Sequence, residues 1–113
     1  MKYVLLIHSD DEQWEARSEQ EQQAIYGEYM AISDLPGIYG GAQLQPVTSA
    51  TTVRVADGRT LTTDGPFAET KEALGGFYLF EADNLDEAIA VAARIPAARH
   101  GSVEVRPLVE RAG

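Results

Sequence analysis

The chain contains no cysteine, and this excludes disulfides and thiol chemistry. No apolar run approaches the roughly 20 residues that a membrane span requires. The apolar stretch at residues 1–7 is too short for a signal peptide, and the polar residues after it include no cleavage-like site. From these absences we expect a cytoplasmic protein.

Positive charge is also scarce. The chain has nine Lys and Arg residues and eighteen Asp and Glu residues, so its formal net charge is −9. The first 35 residues hold eight acids and two bases. Such a field repels nucleic acid, which requires clustered basic residues, and it is unsuited to a membrane surface. We therefore expect neither nucleic acid nor a membrane as a partner.

Motifs for cofactors and metals are missing as well. The chain has no P-loop, dinucleotide fingerprint, nucleophile elbow or zinc-type ligand spacing. We therefore expect no cofactor and no metal. A metal site made of His8, Asp10 and Asp11 is the alternative, although residues of one irregular run rarely supply three converging ligands.

The length of 113 residues indicates one domain that covers residues 1–113. A chain of this size buries about two-thirds of its unfolded surface, which suffices for one core but not for a deep cavity as well. We therefore expect any pocket to be shallow or to be shared with a second copy of the chain.

Periodicity and turn residues predict an α+β chain. Two capping boxes, Ser18 with Glu21 and Asn84 with Glu87, start helices over 19–34 and from Leu85 to before Pro96. The polar segment 9–17 is predicted to be a loop or one helical turn. Strands are predicted over 2–8, 38–45, 51–56, 59–63, 76–82 and 102–108, with a hairpin turn at Asp57-Gly58. The paired glycines Gly40-Gly41 predict a bulge or a close backbone approach.

This order of elements predicts a ferredoxin-like fold. Without the hairpin, the pattern is the split βαββαβ arrangement, with two helices on one face of the sheet. The other face also carries apolar residues, because the first strand is apolar on both sides. An exposed apolar sheet face needs a partner, and two such faces packed together form a two-subunit barrel. We therefore expect a homodimer.

Several stretches resemble one known family. They are T-D-G-P-F-A-E-T-K-E at 63–72, M-K-Y-V-L-L-I at 1–7, T-T-V-R-V at 51–55, L-G-G-F-Y-L at 74–79, L-D-E-A-I at 85–89 and G-S-V-E-V-R-P at 101–107. On these stretches the chain is similar to the DGPF group of the YCII-related family over nearly its whole length. The resemblance implies a ferredoxin-like, dimeric α/β barrel.

The resemblance implies less about activity than about fold. Other branches of the family are proposed to be enzymes because of a His–Asp pair whose His lies on the first helix. Residues 18–35 of this chain contain no His. Some members of the DGPF group occur near or fused to extracytoplasmic-function sigma factors, which implies a regulatory association.

The stretch T-D-G-P-F-A-E-T-K-E at 63–72, which we call the signature loop, supplies the first candidate site residues. Asp64 stands at a strand end before Gly65-Pro66, where its carboxylate is suited to act as a general base; alternatively it only initiates the turn. Phe67, Glu69 and Lys71 follow, with Glu72, as candidate substrate-binding residues that line a cleft. The alternative for this charged group is a solvated loop with a surface ion pair.

Four further residues complete the candidate site. Arg54 and Arg106 are suited to bind a substrate carboxylate or phosphate, or alternatively to pair with Glu81 or Glu104 across the sheet. Histidine as a residue type has a reference pKa near neutrality, so His100 is a candidate proton carrier, or alternatively an ordinary loop residue. Tyr78 follows the signature loop, and its hydroxyl is the second candidate proton carrier.

These observations lead to one hypothesis and two alternatives. The hypothesis is a small homodimer that binds a small organic ligand near the signature loop and carries out cofactor-free acid–base chemistry such as isomerisation or elimination. The first alternative is a non-enzymatic ligand-sensing or protein-interaction module associated with sigma-factor regulation. The second is a dimer without a ligand, in which the loop only closes the barrel.

Overall fold

The computed structural model describes residues 1–68 and 70–111, and in these it is an α+β chain. The strands are β1 Lys2–Ser9, β2 Ile38–Gln43, β3 Thr51–Ala56, β4 Arg59–Asp64, β5 Ala73–Glu81 and β6 Ser102–Pro107. The helices are α1 Asp11–Glu15, α2 Glu19–Ser33, α3 Leu85–Ala92 and α4 Ala97–His100, with one 3-10 turn at Val47–Ser49.

The main sheet has four antiparallel strands in the order β2-β5-β1-β6. The strands β3 and β4 form a separate two-stranded hairpin between β2 and β5. The predicted ferredoxin-like fold with an inserted β-hairpin is confirmed.

The core lies between the central strands and the helices. Alternate residues Tyr3, Leu5 and Ile7 of β1 are buried, and they pair in register with Phe80, Tyr78 and Gly76 of β5. Because successive strand residues point to opposite faces, Val4, Leu6, Phe77 and Leu79 lie on the other face, where they are only half-buried. This second face of the sheet is the apolar surface predicted from β1, and we call it the open face.

The two long helices begin at the predicted capping boxes. The Ser18 hydroxyl accepts a hydrogen bond from the Glu21 backbone N–H at 3.1 Å, and the Asn84 side chain accepts one from Glu87 N–H at 2.9 Å. In the second box the Glu87 carboxylate reaches the N–H of Asp83 instead of that of the cap residue. Both helices therefore start where side-chain oxygens replace missing backbone acceptors.

Glycines shape the connection from α2 to β2. Gly37 has φ +94°, and a Cβ on it would lie 2.6 Å from the Glu81 carbonyl oxygen. Only glycine suits a backbone that is both left-handed and this close to β5. The predicted irregularity in β2 is confirmed, because the pairing with β5 shifts register between Ile38 and Gly40.

Two segments differ from the sequence prediction. Strand β5 begins at Ala73 rather than at Gly76, because it also pairs with the last residues of β1. The chain after Pro96 forms the short helix α4, which was not predicted, because Pro96 is itself in the helical region and starts a new turn. His100 is consequently the last residue of a helix rather than a loop residue.

The predicted turn around Trp14 is α1, which Asp10 caps by accepting from the Glu12 N–H at 2.9 Å. Trp14 packs edge-on against Tyr26 of α2, with ring centroids 5.1 Å apart. Helix α1 is thereby joined to α2 by an aromatic contact.

The chain is flat, with extents of 47 × 46 × 18 Å and a radius of gyration of 16.1 Å. A compact domain of this length has a radius of about 13 Å. One helix layer on one sheet accounts for the thin dimension, and every residue of β3 and β4 except Thr52 is exposed. In residues 1–68 and 70–111, no helix is long and apolar enough to cross a membrane.

Candidate functional site

A large cleft lies beside the edge strand β2, between helices α1 and α2 and the start of β5. Its volume is about 1100 Å³. The walls are rich in aromatic side chains, namely Trp14, Tyr26, Tyr29, Tyr39, Phe77 and Tyr78. We call this space the α2–β2 cleft; its walls suit the flat, largely apolar surface of a ring compound.

Polar groups gather at the α1 end of the α2–β2 cleft. Asp10, Asp11, Arg17 and His100 line this end. Asp10 is occupied as the α1 cap, and the Asp11 carboxylate accepts from the Val47 backbone N–H at 3.0 Å. Within residues 1–68 and 70–111, neither Arg17 nor His100 forms an ion pair. These two side chains are therefore the groups suited to meet an acidic substituent of a ligand.

Tyr78 joins the sheet to α2 at the base of the cleft. Its hydroxyl donates to the Tyr29 carbonyl oxygen at 2.9 Å, and the Ser33 hydroxyl lies 3.4 Å away. Its proton is thus held by a backbone acceptor in this structure.

Tyr29 lies one helical turn from Ser33 and also borders the cleft. Burial raises the pKa of the Tyr29 hydroxyl, since the phenolate would lose its water, and a backbone hydrogen bond at Ala97 opposes this effect. The group therefore stays protonated at neutral pH and is available as a hydrogen-bond donor.

A smaller polar cleft adjoins the first one. It has a volume of about 580 Å³ and is lined by Asp10, Gln13, Thr70, Lys71, Glu72 and His100. Asp10, Gln13 and His100 line both spaces, so the two are continuous at the end of α4. The C-terminal part of the signature loop thus reaches the polar end of the α2–β2 cleft.

The predicted site residues fall into two groups. Tyr78 and His100 line the α2–β2 cleft, and Lys71 lines the adjoining polar cleft. Asp64 and Arg54 are exposed on the hairpin, and Phe67 is 81% exposed; these three border neither cleft. The single chain therefore does not bring Asp64, Arg54 and His100 together.

The remaining predicted residues lie elsewhere. Arg106 is on the open face, where its Nε lies 3.7 Å from the Glu104 carboxylate, as in the ion-pair alternative. His8 is on the same face and lies 3.3 Å from Glu104. Glu69 lies outside the described residues.

The three residues of the alternative metal site have different hydrogen-bond partners. His8 contacts Glu104, whereas Asp10 accepts from the Glu12 backbone N–H and Asp11 from the Val47 backbone N–H. In the part of the chain that the structure describes, no group of three His, Cys, Asp or Glu side chains is close enough to hold a metal ion.

Sequence reasoning missed Trp14, Arg17 and Tyr29 as cleft residues. Tyr26 and Tyr29 are three positions apart on α2, so they share one helix face, and this spacing was the available signal. Arg17 carried no such signal, because its place depends on how the short helix α1 folds back on α2.

Comparison with known proteins now assigns the class. Residues 1–111 match the family model of the YCII-related domain, and the chain belongs to that family. It is 39% identical over 114 aligned positions to an uncharacterized protein of Rhizobium meliloti (strain 1021), a match that covers 96% of this chain and 92% of that protein.

The fold is also similar to a solved structure. This is 5-chloro-2-hydroxyhydroquinone dehydrochlorinase from Burkholderia phenoliruptrix AC1100, in complex with 2,5-dihydroxybenzoquinone. The TM-score is 0.53 and the identity 16%, with 98% of this chain and 96% of that chain covered. At this identity the likeness concerns the fold.

Proposed function

We propose that the protein binds a small organic molecule with a planar ring in the α2–β2 cleft. The observation that carries the proposal is the set of aromatic side chains around one cleft that also has Arg17 and His100 at its end. Small-molecule sites are commonly apolar and aromatic clefts with a few polar groups that fix orientation.

The ligand is best described as a ring with acidic hydroxyl or carboxylate substituents. The ring would lie between the tyrosines, and the acidic group would face Arg17 and His100. The solved structure of similar fold holds 2,5-dihydroxybenzoquinone, a compound of this class, and this makes it the first probe to test.

The finer proposal is cofactor-free acid–base chemistry with His100 as the proton carrier. His100 lines both clefts, and imidazole exchanges protons near neutral pH. Tyr78 is better assigned a positioning role, since its proton is held by the Tyr29 carbonyl. Lys71 would face the ligand from the adjoining cleft, whereas Asp64, Arg54, Phe67 and Arg106 stay predictions that need a second copy.

We further propose that the chain works as a homodimer through the open face. The half-buried residues Val4, Leu6, Phe77 and Leu79 make that face apolar, and the flat shape leaves it without a covering layer. The cytoplasmic location and the alternative of a sigma-factor-associated interaction module stay predictions.

The test is calorimetric titration with 2,5-dihydroxybenzoquinone and a panel of hydroxylated benzoates. We expect saturable binding that weakens by about tenfold or more in His100→Gln, because a charge-assisted hydrogen bond is lost. Arg94→Gln is the matched control, since Arg94 is exposed after α3 and borders neither cleft. Absence of saturable binding by any probe, or equal loss in both variants, would contradict the proposal.

A further inference from the structure

The β3–β4 hairpin lacks a covering surface within its own chain. Among the described residues its two strands pair only with each other, and the apolar side chains Val53 and Val55, which share one face, are 58% and 71% exposed. An isolated two-stranded hairpin is marginally stable in water. A hairpin with this much exposed apolar surface is therefore suited to pack against another surface.

The rim of the α2–β2 cleft is a second exposed apolar surface. Tyr26, Met30, Tyr39 and Leu44 border the cleft and are 42–70% exposed. The cleft volume of about 1100 Å³ exceeds what one ring compound fills, since pockets for small molecules measure about 300–1,000 Å³. A bound ring would leave this rim uncovered.

The charge distribution favours contact between these two surfaces in different copies. Residues 1–35, which include α1 and α2, carry a net charge of −6, from eight acids and two bases. Residues 36–64, which include both hairpin strands, carry no net charge, because Arg54 and Arg59 are balanced by Asp57 and Asp64. In a chain of net charge −9, the hairpin is therefore a neutral segment, and it approaches the acidic helices of a second copy with little repulsion.

The cleft is also continuous with the proposed dimer interface. Phe77 belongs to the open face and borders the cleft as well. Residues 44–50 connect the end of β2 to the hairpin, and β5 begins at Ala73, at the end of the sheet where Gln43, Leu44 and Gly75 line the cleft. The six-residue strands of the hairpin extend about 20 Å, enough to reach past the edge of the sheet.

We propose that the β3–β4 hairpin of a second copy of this chain lies across the rim of the α2–β2 cleft. The face with Val53 and Val55 packs on the apolar rim, and the opposite face, with Arg54 and Leu61, points away from the rim. In a two-fold dimer each copy covers the cleft of the other. The part that concerns ligand closure rests on the proposed function, whereas the contact itself does not.

Disulfide cross-linking tests the contact. Because the chain has no native cysteine, every disulfide must join the introduced residues. Met30→Cys protein is mixed with Val55→Cys protein that carries a mass tag, so a mixed disulfide must join two copies. We expect the mixed dimer to be the main product, because disulfides form only between Cα atoms within about 7 Å. The control pair uses Ile89→Cys, an exposed apolar site on α3 away from the cleft.

Cross-linking of Met30→Cys that does not exceed the Ile89→Cys control overturns the proposal. So does a product that consists only of Val55→Cys joined to itself.

Ligand titration tests the closure. Val55→Asp should weaken binding of 2,5-dihydroxybenzoquinone by about tenfold or more, while Leu61→Asp on the opposite face of the same hairpin leaves binding unchanged. Equal loss in both variants would overturn the closure, since the hairpin would then matter only for folding. Specific cross-linking without binding of any probe would sink the proposed function and leave the hairpin contact standing. Binding of a probe without specific cross-linking would overturn the hairpin contact and leave the proposed function standing.

Discussion

At the residue scale, the two tyrosines at the base of the cleft have different roles. The Tyr78 hydroxyl donates a hydrogen bond to the Tyr29 carbonyl oxygen and so fixes α2 to β5. Tyr29 keeps a protonated hydroxyl beside the cleft. The sequence indicated Tyr78 from its place after the signature loop, but its partner is a backbone atom of a helix 49 residues away, which no local pattern reveals.

Replacing Tyr78 by Phe should lower the free energy of unfolding by about 1 kcal/mol. The loss is modest because the Tyr29 carbonyl keeps its partners within α2 and with Ser33. Urea denaturation measures it, with Tyr39→Phe as the control, since among the described residues the Tyr39 hydroxyl has no hydrogen-bond partner. A Tyr78→Phe protein as stable as wild type would contradict the structural role.

The raised pKa of Tyr29 predicts a pH dependence at the alkaline end. Above about pH 10 the unfolded chain loses this proton first, so the folded state binds more protons and stability falls as pH rises. Below that pH the stabilising contribution of the protonated Tyr29 is fully present. Urea titrations at neutral pH and above pH 10 should show a smaller decrease for Tyr29→Phe than for wild type. An equal decrease in stability for wild type and Tyr29→Phe would contradict the raised pKa of Tyr29 in the folded state.

At the element scale, local signals predicted most of the fold. The capping boxes, the Asp57-Gly58 turn and the strand alternation were sufficient for α2, α3 and the hairpin, because these features depend on neighbours in sequence. Helix α4 and the cleft were not predictable in this way. The first depends on Pro96 starting a new helical turn, and the second on α1 folding back on α2 through Trp14 and Tyr26.

Two glycines should respond in opposite directions to substitution by Ala. Gly27 lies within α2 with open space around its Cα, so Gly27→Ala should stabilise the protein by about 0.5–1 kcal/mol. Gly37→Ala should destabilise it by several times that amount, because a Cβ would clash with the Glu81 carbonyl and the Phe80 ring. Thermal unfolding compares them, and a loss of stability in both would contradict the open surroundings of Gly27 on α2.

At the scale of the whole molecule, the flat shape and the open face favour a dimer. The ferredoxin-like fold follows from the order of elements, and the apolar open face follows from β1 being apolar on both sides. How two copies would meet depends on surfaces far apart in sequence, so the proposed position of the hairpin on a second copy was beyond local reasoning.

A charge on the open face should therefore separate the subunits. We expect wild type to sediment as a dimer and Leu79→Lys as a monomer, because a buried ammonium without a partner costs several kcal/mol. Ile89→Lys, on the exposed surface of α3, is the matched control and should remain dimeric. A monomeric wild type, or a dimeric Leu79→Lys, would show that the open face is not the interface.

The central claim is that the α2–β2 cleft binds a ring compound, and amide chemical shifts during titration with 2,5-dihydroxybenzoquinone test it most directly. The account predicts saturable shifts at Gly41, Gly75 and Gly76, whose backbone lines the cleft, and at Tyr29. The amides of α3 should not move. Shifts confined to α3 and β6, or no saturable shifts with this quinone or the hydroxylated benzoates, would contradict the claim.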